Sequence, residues 1–475
     1  MYNNKILIGI TGKIARGKST FCKELQNIQE EHILHIELDK VAKNIIPESV
    51  RNSLKNMLEK EDGHIDFIKK WNSIKGFYIP LIEEQIYKII DNSNCYLFLI
   101  EGFNLFELKN IYNNIDKVFK VDFGCFVGNR GYSETFLTNI NKIQTECILT
   151  KTNGVIQKKA HKLWKRAIEM YKNHLYEWHN VSHILEMLTD AIATNESENT
   201  IEAILYHDVA YGKNNPEHEL KAAKMYKDIP INEDSFADEI KQLKVCQEIL
   251  STADVFDINN ATKIQKLDYK PFLSEDLEML IKYENKIFLE YSNIPINEYR
   301  TKRIQFLEQI KENHLKGTIV YDNALYLINY IKNKQYRLGV YAGSFNPIHK
   351  GHLDIIKQAE KDYDKIIIAV GNNIGKEYPN RREIPKHIVD KYQVIYYHGL
   401  LQKLVYDITD KNAKIEIIRG LRNTIDFEEE RVFNRINKDI NRDISFRYYF
   451  SNYNHISSTA CRELEAYNID TYKEQ

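Results

Sequence analysis

Gly343-Ser344-Phe345-Asn346-Pro347-Ile348-His349-Lys350-Gly351-His352 follows the apolar run Arg337-Leu338-Gly339-Val340-Tyr341 and precedes Leu353-Asp354-Ile355-Ile356. The first flank reads as a strand and the second as the opening of an amphipathic helix. A glycine-rich turn from strand to helix aims backbone N–H groups and a helix N-terminus at a phosphate. Two histidines three apart, His349 and His352, can reach the same phosphate oxygens. Downstream, residues 365–370 and 414–418 read as further apolar strands separated by helical patterns. This alternation predicts a doubly wound parallel α/β sheet with its site at the strand C-termini.

Three more signals fall at such strand ends or helix starts: Gly371-Asn372-Asn373-Ile374-Gly375-Lys376, Arg419-Gly420-Leu421-Arg422 with Asp426-Phe427-Glu428, and His455-Ile456-Ser457-Ser458-Thr459. The His-x-Gly-His spacing resembles that of nucleotidyltransferases, and the reaction this implies, attack by an acceptor phosphate on the α-phosphorus of ATP with pyrophosphate leaving, needs charge stabilisation more than acid or base. His349, His352, Lys376 and Mg²⁺ suit that task, and Arg419 and Arg422 could fork onto an acceptor phosphate. Ser457, Ser458 and Thr459 read either as a phosphate-binding helix start or as a plain N-cap. The His-x-Gly-His pattern resembles the nucleotidyltransferase superfamily, and residues 335–475 as a whole resemble phosphopantetheine adenylyltransferase. That resemblance implies a Rossmann-like fold, with Gly343, Ser344, Phe345, Arg419, Gly420, Arg422 and the serine run binding ATP or phosphate. Its substrates would be ATP and 4′-phosphopantetheine. Two departures keep another acceptor open: His349 stands where that family usually has Thr, and Ile456-Ser457-Ser458-Thr459-Ala460-Cys461-Arg462 is similar to nicotinate or nicotinamide mononucleotide adenylyltransferases.

The chain opens with the strand-like Lys5-Ile6-Leu7-Ile8-Gly9-Ile10-Thr11, then Gly12-Lys13-Ile14-Ala15-Arg16-Gly17-Lys18-Ser19-Thr20, then a helical pattern. This is the G-x-x-x-x-G-K-[ST] phosphate loop in its required context, with Gly12, Gly17, Lys18 and Thr20 at the phosphates and Ser19 on Mg²⁺. His35-Ile36-Glu37-Leu38-Asp39 reads as a second strand ending in carboxylates, and Tyr96-Leu97-Phe98-Leu99-Ile100-Glu101-Gly102 as a third. Glu101 is either a water-mediated Mg²⁺ contact or an ordinary strand-end carboxylate. Residues 1–150 resemble dephospho-CoA kinase, and the likeness implies that Asp39 takes the proton from the ribose 3′-hydroxyl. Glu37 replaces that family's first Asp and Lys43 its Arg. A lid over the transferred phosphoryl group usually carries several arginines; between Val121 and Gln144 there is only Arg130.

Residues 155–318 are helical throughout by pattern. Trp178-His179-Asn180-Val181-Ser182-His183 places His179 and His183 one helical turn apart, and His207-Asp208 can bring an imidazole and a carboxylate to the same divalent metal. The stretch resembles the HD phosphohydrolase superfamily, continuing in Phe272-Leu273-Ser274-Glu275-Asp276-Leu277. The resemblance implies His183, His207, Asp208 and Asp276 as metal ligands, and His179 as proton donor to the leaving oxygen. Ser274 stands where relatives usually have Asp, and no His follows Ile249-Leu250-Ser251-Thr252-Ala253-Asp254 where they usually carry one.

At 475 residues the chain suggests about three domains. A formal net charge of −1 offers no electrostatic footprint for nucleic acid or an anionic membrane. The six cysteines have no pairing or CxxC spacing, no apolar run approaches membrane-spanning length, and the first apolar run belongs to the phosphate loop; a reducing, cytoplasmic setting is expected. Two ends of one chain point to successive steps, since adenylylation of 4′-phosphopantetheine gives dephospho-CoA and its 3′-phosphorylation gives coenzyme A. The reading is therefore a multidomain coenzyme A biosynthesis fusion using Mg²⁺ with ATP, plus an all-α HD domain with its own divalent metal. A nucleotide-sensing protein with weak catalysis is the rival of a different class, and homo-oligomerisation stays open.

Overall fold

The computed structural model describes residues 5–13, 16–102, 105–123, 133–148, 152–212, 215–231, 236–372, 383–422, 424–440, 444–453 and 455–466. The chain packs as two units. One runs to residue 255 and includes 260–269; the other comprises 256–259 and 270 onward. This division cuts through the helical stretch 155–318 instead of following its ends.

The first unit carries strands β1 (Ile6–Thr11), β2 (Ile33–Glu37), β3 (Leu97–Glu101), β4 (Lys117–Val121) and β5 (Val155–Ile156). All pair in parallel, in the order β2-β3-β1-β4-β5. Every residue of β1 is buried, as a central parallel strand covered on both faces requires. β5 lies beyond the expected boundary at residue 150, so the sheet reaches into the start of the stretch read as helical throughout. Trp164 explains why. It packs edge-on against Phe21 and Phe119, with ring centroids 5.2 and 4.9 Å away. One apolar core therefore runs from the sheet into the helix Val181–Ala193. Gly154 has φ +148°, and a Cβ there would stand 2.7 Å from the Thr189 methyl of that helix. Lys117 of β4 and Glu186 of the helix form a buried ion pair, with Asn153 donating to the other Glu186 oxygen at 3.0 Å.

The second unit joins helices Leu277–Glu290, Ile296–Glu312 and Ile319–Asn333 to a second sheet. Phe288 packs on Tyr336 at 5.0 Å, and Arg300 pairs with Asp410 at 3.2 Å. The strands are β6 (Tyr336–Gly343), β7 (Lys365–Asn372), β8 (Gln393–His398), β9 (Ala413–Leu421) and β10 (Ser445–Phe450). They run parallel in the order β10-β9-β6-β7-β8, the doubly wound topology expected. The chain moves outward from β6 in both directions, so the switch point lies between the C-termini of β6 and β9, where such sheets bind ligands. Among the described residues, no helix is long and apolar enough to cross a membrane.

Candidate functional site

β6 ends in Gly343, and the chain turns through Phe345, at φ +45°, into the helix Lys350–Ala359. This helix begins three residues before the sequence reading placed it, so His349 becomes its N-cap and His352 lies in its first turn. The two imidazoles stack with centroids 3.7 Å apart. The His349 backbone N–H donates to His352 Nδ1 at 3.2 Å, so the neutral ring carries its proton on Nε2. Burial, then His349 and Arg422, hold His352 well below its ordinary value; burial and Arg422 lower His349 to about 4. Both rings are therefore neutral near pH 7 and offer N–H groups without desolvated charge. His349 Nδ1 is buried without a hydrogen-bond partner. A Cβ at Gly351 would come within 3.1 Å of the His349 ring, which accounts for the glycine between the histidines.

The helix Ser458–Ala466 meets this turn. Ser458 Oγ donates to the Pro347 carbonyl at 2.9 Å, and Arg462 donates to the Asn346 carbonyl. Ser457 takes the N-cap role, its hydroxyl accepting from Ala460 N–H at 3.1 Å, while Thr459 is exposed. Arg419 and Gly420 lie inside β9, not after it. Arg419 donates to both oxygens of Glu430 and, at 2.8 Å, to the Ala342 carbonyl; it braces β6 against β9 and is not presented to an acceptor phosphate. Arg422, beyond the strand end and half exposed, is held by Asp426 at 2.8 and 3.0 Å. Ser344 is half buried in the turn. Lys376 lies outside the described residues. A cleft at the opposite ends of the strands, lined by Arg337, Asp362, Tyr363, Lys414, Glu416 and Arg447, has its charges paired locally and none of the turn's chemistry.

In the first unit, Gly12 at φ +135° and Gly17 at φ +91° shape the phosphate loop, and a Cβ at Gly12 would stand 2.6 Å from the Val121 carbonyl oxygen. Gly17 caps the helix Lys18–Gln26. Lys18 Nζ donates to the carbonyls of Gly12 and Lys13, each at 2.9 Å, and Ser19 Oγ donates to Glu101 at 2.8 Å. Thr20 is exposed. β2 stops at Glu37, so Asp39 is not at a strand end but in the first turn of the helix Leu38–Ile45. Desolvation, then Glu101, raise its carboxyl, with Lys18 opposing. Burial pushes Glu101 up, but hydrogen bonds with His35 and Ser19 outweigh it and leave the carboxyl below its ordinary value. Arg130 lies outside the described residues.

His183, His207 and Asp208 come together, fully buried, with one donor atom from each within 4.8 Å of the others. The ring of His207 bonds through Nδ1 to the Ile204 carbonyl at 3.0 Å, which fixes Nδ1 as a donor and leaves Nε2 facing Asp208 Oδ2 at 3.2 Å. Neither of those facing atoms has an aligned hydrogen bond, and the donor set fits a divalent metal. Burial disfavours the His207 cation, but Asp208 prevails and raises the ring to about 9. His179 precedes the helix Val181–Ala193 and is not a turn back along it; its ring stacks on Tyr211 at 3.9 Å and lies 6.5 Å from the His183 ring. Asp276 belongs to the second unit and is the N-cap of Leu277–Glu290, accepting from Glu278 and Met279 N–H at 3.0 and 3.2 Å. The carboxylate beside His183 is that of Asp268, 3.0 Å from Nε2, which the sequence reading missed, as it missed His218 at 3.8 Å from Asp208.

The stacked histidines at the switch point of a doubly wound sheet define the class, a nucleotidyltransferase, and residues 340–464 match the cytidylyltransferase-like family model. Curated relatives narrow it. A phosphopantetheine adenylyltransferase of Clostridium perfringens is 37% identical over 141 residues, 28% of this chain and 84% of the relative. Those of Fusobacterium nucleatum (38%, 28% of this chain and 85% of the relative) and Mycoplasma capricolum (34%, 28% and 98%) match similarly. Through this region the chain belongs to the phosphopantetheine adenylyltransferase family.

Proposed function

We propose that the second unit transfers the adenylyl group of ATP to 4′-phosphopantetheine, giving dephospho-CoA and pyrophosphate. The observation that carries this reading is the neutral, stacked His349/His352 pair at the strand ends, in a region whose relatives bear that activity in their names. His352 Nε2–H and Arg422 stabilise charge developing on the phosphates, and the Ser457–Thr459 helix start receives the β and γ phosphates. Pyrophosphate release with ATP, Mg²⁺ and 4′-phosphopantetheine tests it. His352→Ala should lower kcat by about 10²–10³-fold. Unchanged release in that variant, or none in the wild type, would count against the reading.

The first unit is read as binding a Mg²⁺-nucleotide at Gly12–Thr20 and phosphorylating the 3′-hydroxyl of dephospho-CoA with Asp39 as base. The Ser19–Glu101 contact supports it, since this is where a nucleotide's Mg²⁺ would be held. His183, His207 and Asp208, with Asp268 beside them, would hold a divalent metal that supplies hydroxide and charge stabilisation for phosphate-ester hydrolysis. His179, its ring 6.5 Å from that of His183, would protonate the leaving oxygen.

A further inference from the structure

Cys22, His35 and Glu101 lie side by side at the foot of the phosphate loop, with one donor atom from each within 4.8 Å of the others. Three elements converge to place them. Cys22 is one turn beyond Lys18 on the helix Lys18–Gln26 and is fully buried. His35 pairs in register with Leu99, two residues before Glu101, so both side chains leave the same face of the sheet. His35 Nε2 is 2.8 Å from one Glu101 oxygen, and Ser19 Oγ is 2.8 Å from the other. The His35 and Glu101 side chains are only 3% and 9% exposed.

We propose that Cys22, His35 and Glu101 form a transition-metal site whose occupancy excludes the Mg²⁺ of a nucleotide from the phosphate loop. A thiolate, an imidazole and a carboxylate suit Zn²⁺ or Co²⁺, whereas Mg²⁺ takes oxygen ligands alone. Binding requires Cys22 as thiolate, its proton passing to solvent. Glu101 is the shared element. Committed to the softer ion, it no longer serves the Ser19 side, where a nucleotide's Mg²⁺ would sit. The metal site stands on the cluster alone; the exclusion rests on the nucleotide-binding reading of the loop.

Titration of the full chain with Co²⁺ alone tests it. A thiolate-to-cobalt charge-transfer band should appear in the wild type, persist in His207→Ala, and be lost in Cys22→Ser. Cys22 is in the core, so the metal-free thermal transition of that variant is checked, and His35→Gln, which keeps the thiol, should weaken cobalt binding. No band in the wild type, or one surviving Cys22→Ser, would overturn the site. At fixed free Co²⁺, Mg²⁺–ADP should abolish the band; a band persisting with ADP bound would overturn the exclusion while leaving the metal site standing.

Discussion

His349 shows how burial sets the chemistry of a single residue. Its imidazole is held at about 4 against an ordinary 6.5, by desolvation first and by Arg422 second. The folded value lies below the unfolded one, so on acidification the unfolded chain takes up the proton first. The stability contributed by the neutral ring is whole above pH 6.5 and is lost as pH falls toward 4. Denaturant unfolding across that window should give a shallower decline in His349→Asn than in the wild type; equal slopes would refute the assignment. The histidine pair was legible because its chemistry is local, two rings three residues apart beside a glycine. Arg419 was not, because its partners Glu430 and the Ala342 carbonyl are visible only once β6 and β9 lie side by side. Asp268 was hidden for the same reason, meeting His183 across 85 residues of chain.

The helix that bears His352 is seated on its sheet through one missing side chain. A Cβ at Gly420 would stand 2.2 Å from Ile355 Cδ1 and 2.9 Å from the Tyr341 hydroxyl. Gly420→Ala must therefore displace the Ile355 side chain on the helix Lys350–Ala359 and the Tyr341 hydroxyl, at a cost of about 1–3 kcal/mol in chemical denaturation, with a fall in adenylyl transfer. Stability and rate both at wild-type level would contradict this packing. Central strands such as β1 and β7 were legible as unbroken aliphatic runs. β8 and β10 were not, because they are edge strands whose mostly half-buried or exposed residues, Gln393-Val394-Ile395-Tyr396-Tyr397-His398 and Ser445-Phe446-Arg447-Tyr448-Tyr449-Phe450, show no such run. Asp39 was misplaced by the same limit: a strand and the helix following it without a loop read as one segment.

Motifs divided the molecule into three, while packing divides it into two. The phosphate-loop sheet and the helices bearing His183 and His207 share a core centred on Trp164, and they share the buried pair Lys117–Glu186. Removing one partner strands a buried charge, so Lys117→Met should destabilise the first unit by about 3–5 kcal/mol, and Lys117→Met with Glu186→Leu should recover most of that. Thermal or denaturant unfolding of the single and double variants checks this; a harmless single variant would show that the pair does not tie sheet to helices. Such ties between distant segments leave no periodic mark in a sequence, so the boundary at 150 looked clean. The central claim concerns the second unit and its acceptor. The decisive measurement is kcat/KM for pyrophosphate release from ATP with 4′-phosphopantetheine, compared with nicotinate and nicotinamide mononucleotides. The account predicts turnover with 4′-phosphopantetheine, mass-identified dephospho-CoA as product, and little with either pyridine nucleotide; preference for a pyridine mononucleotide would contradict it.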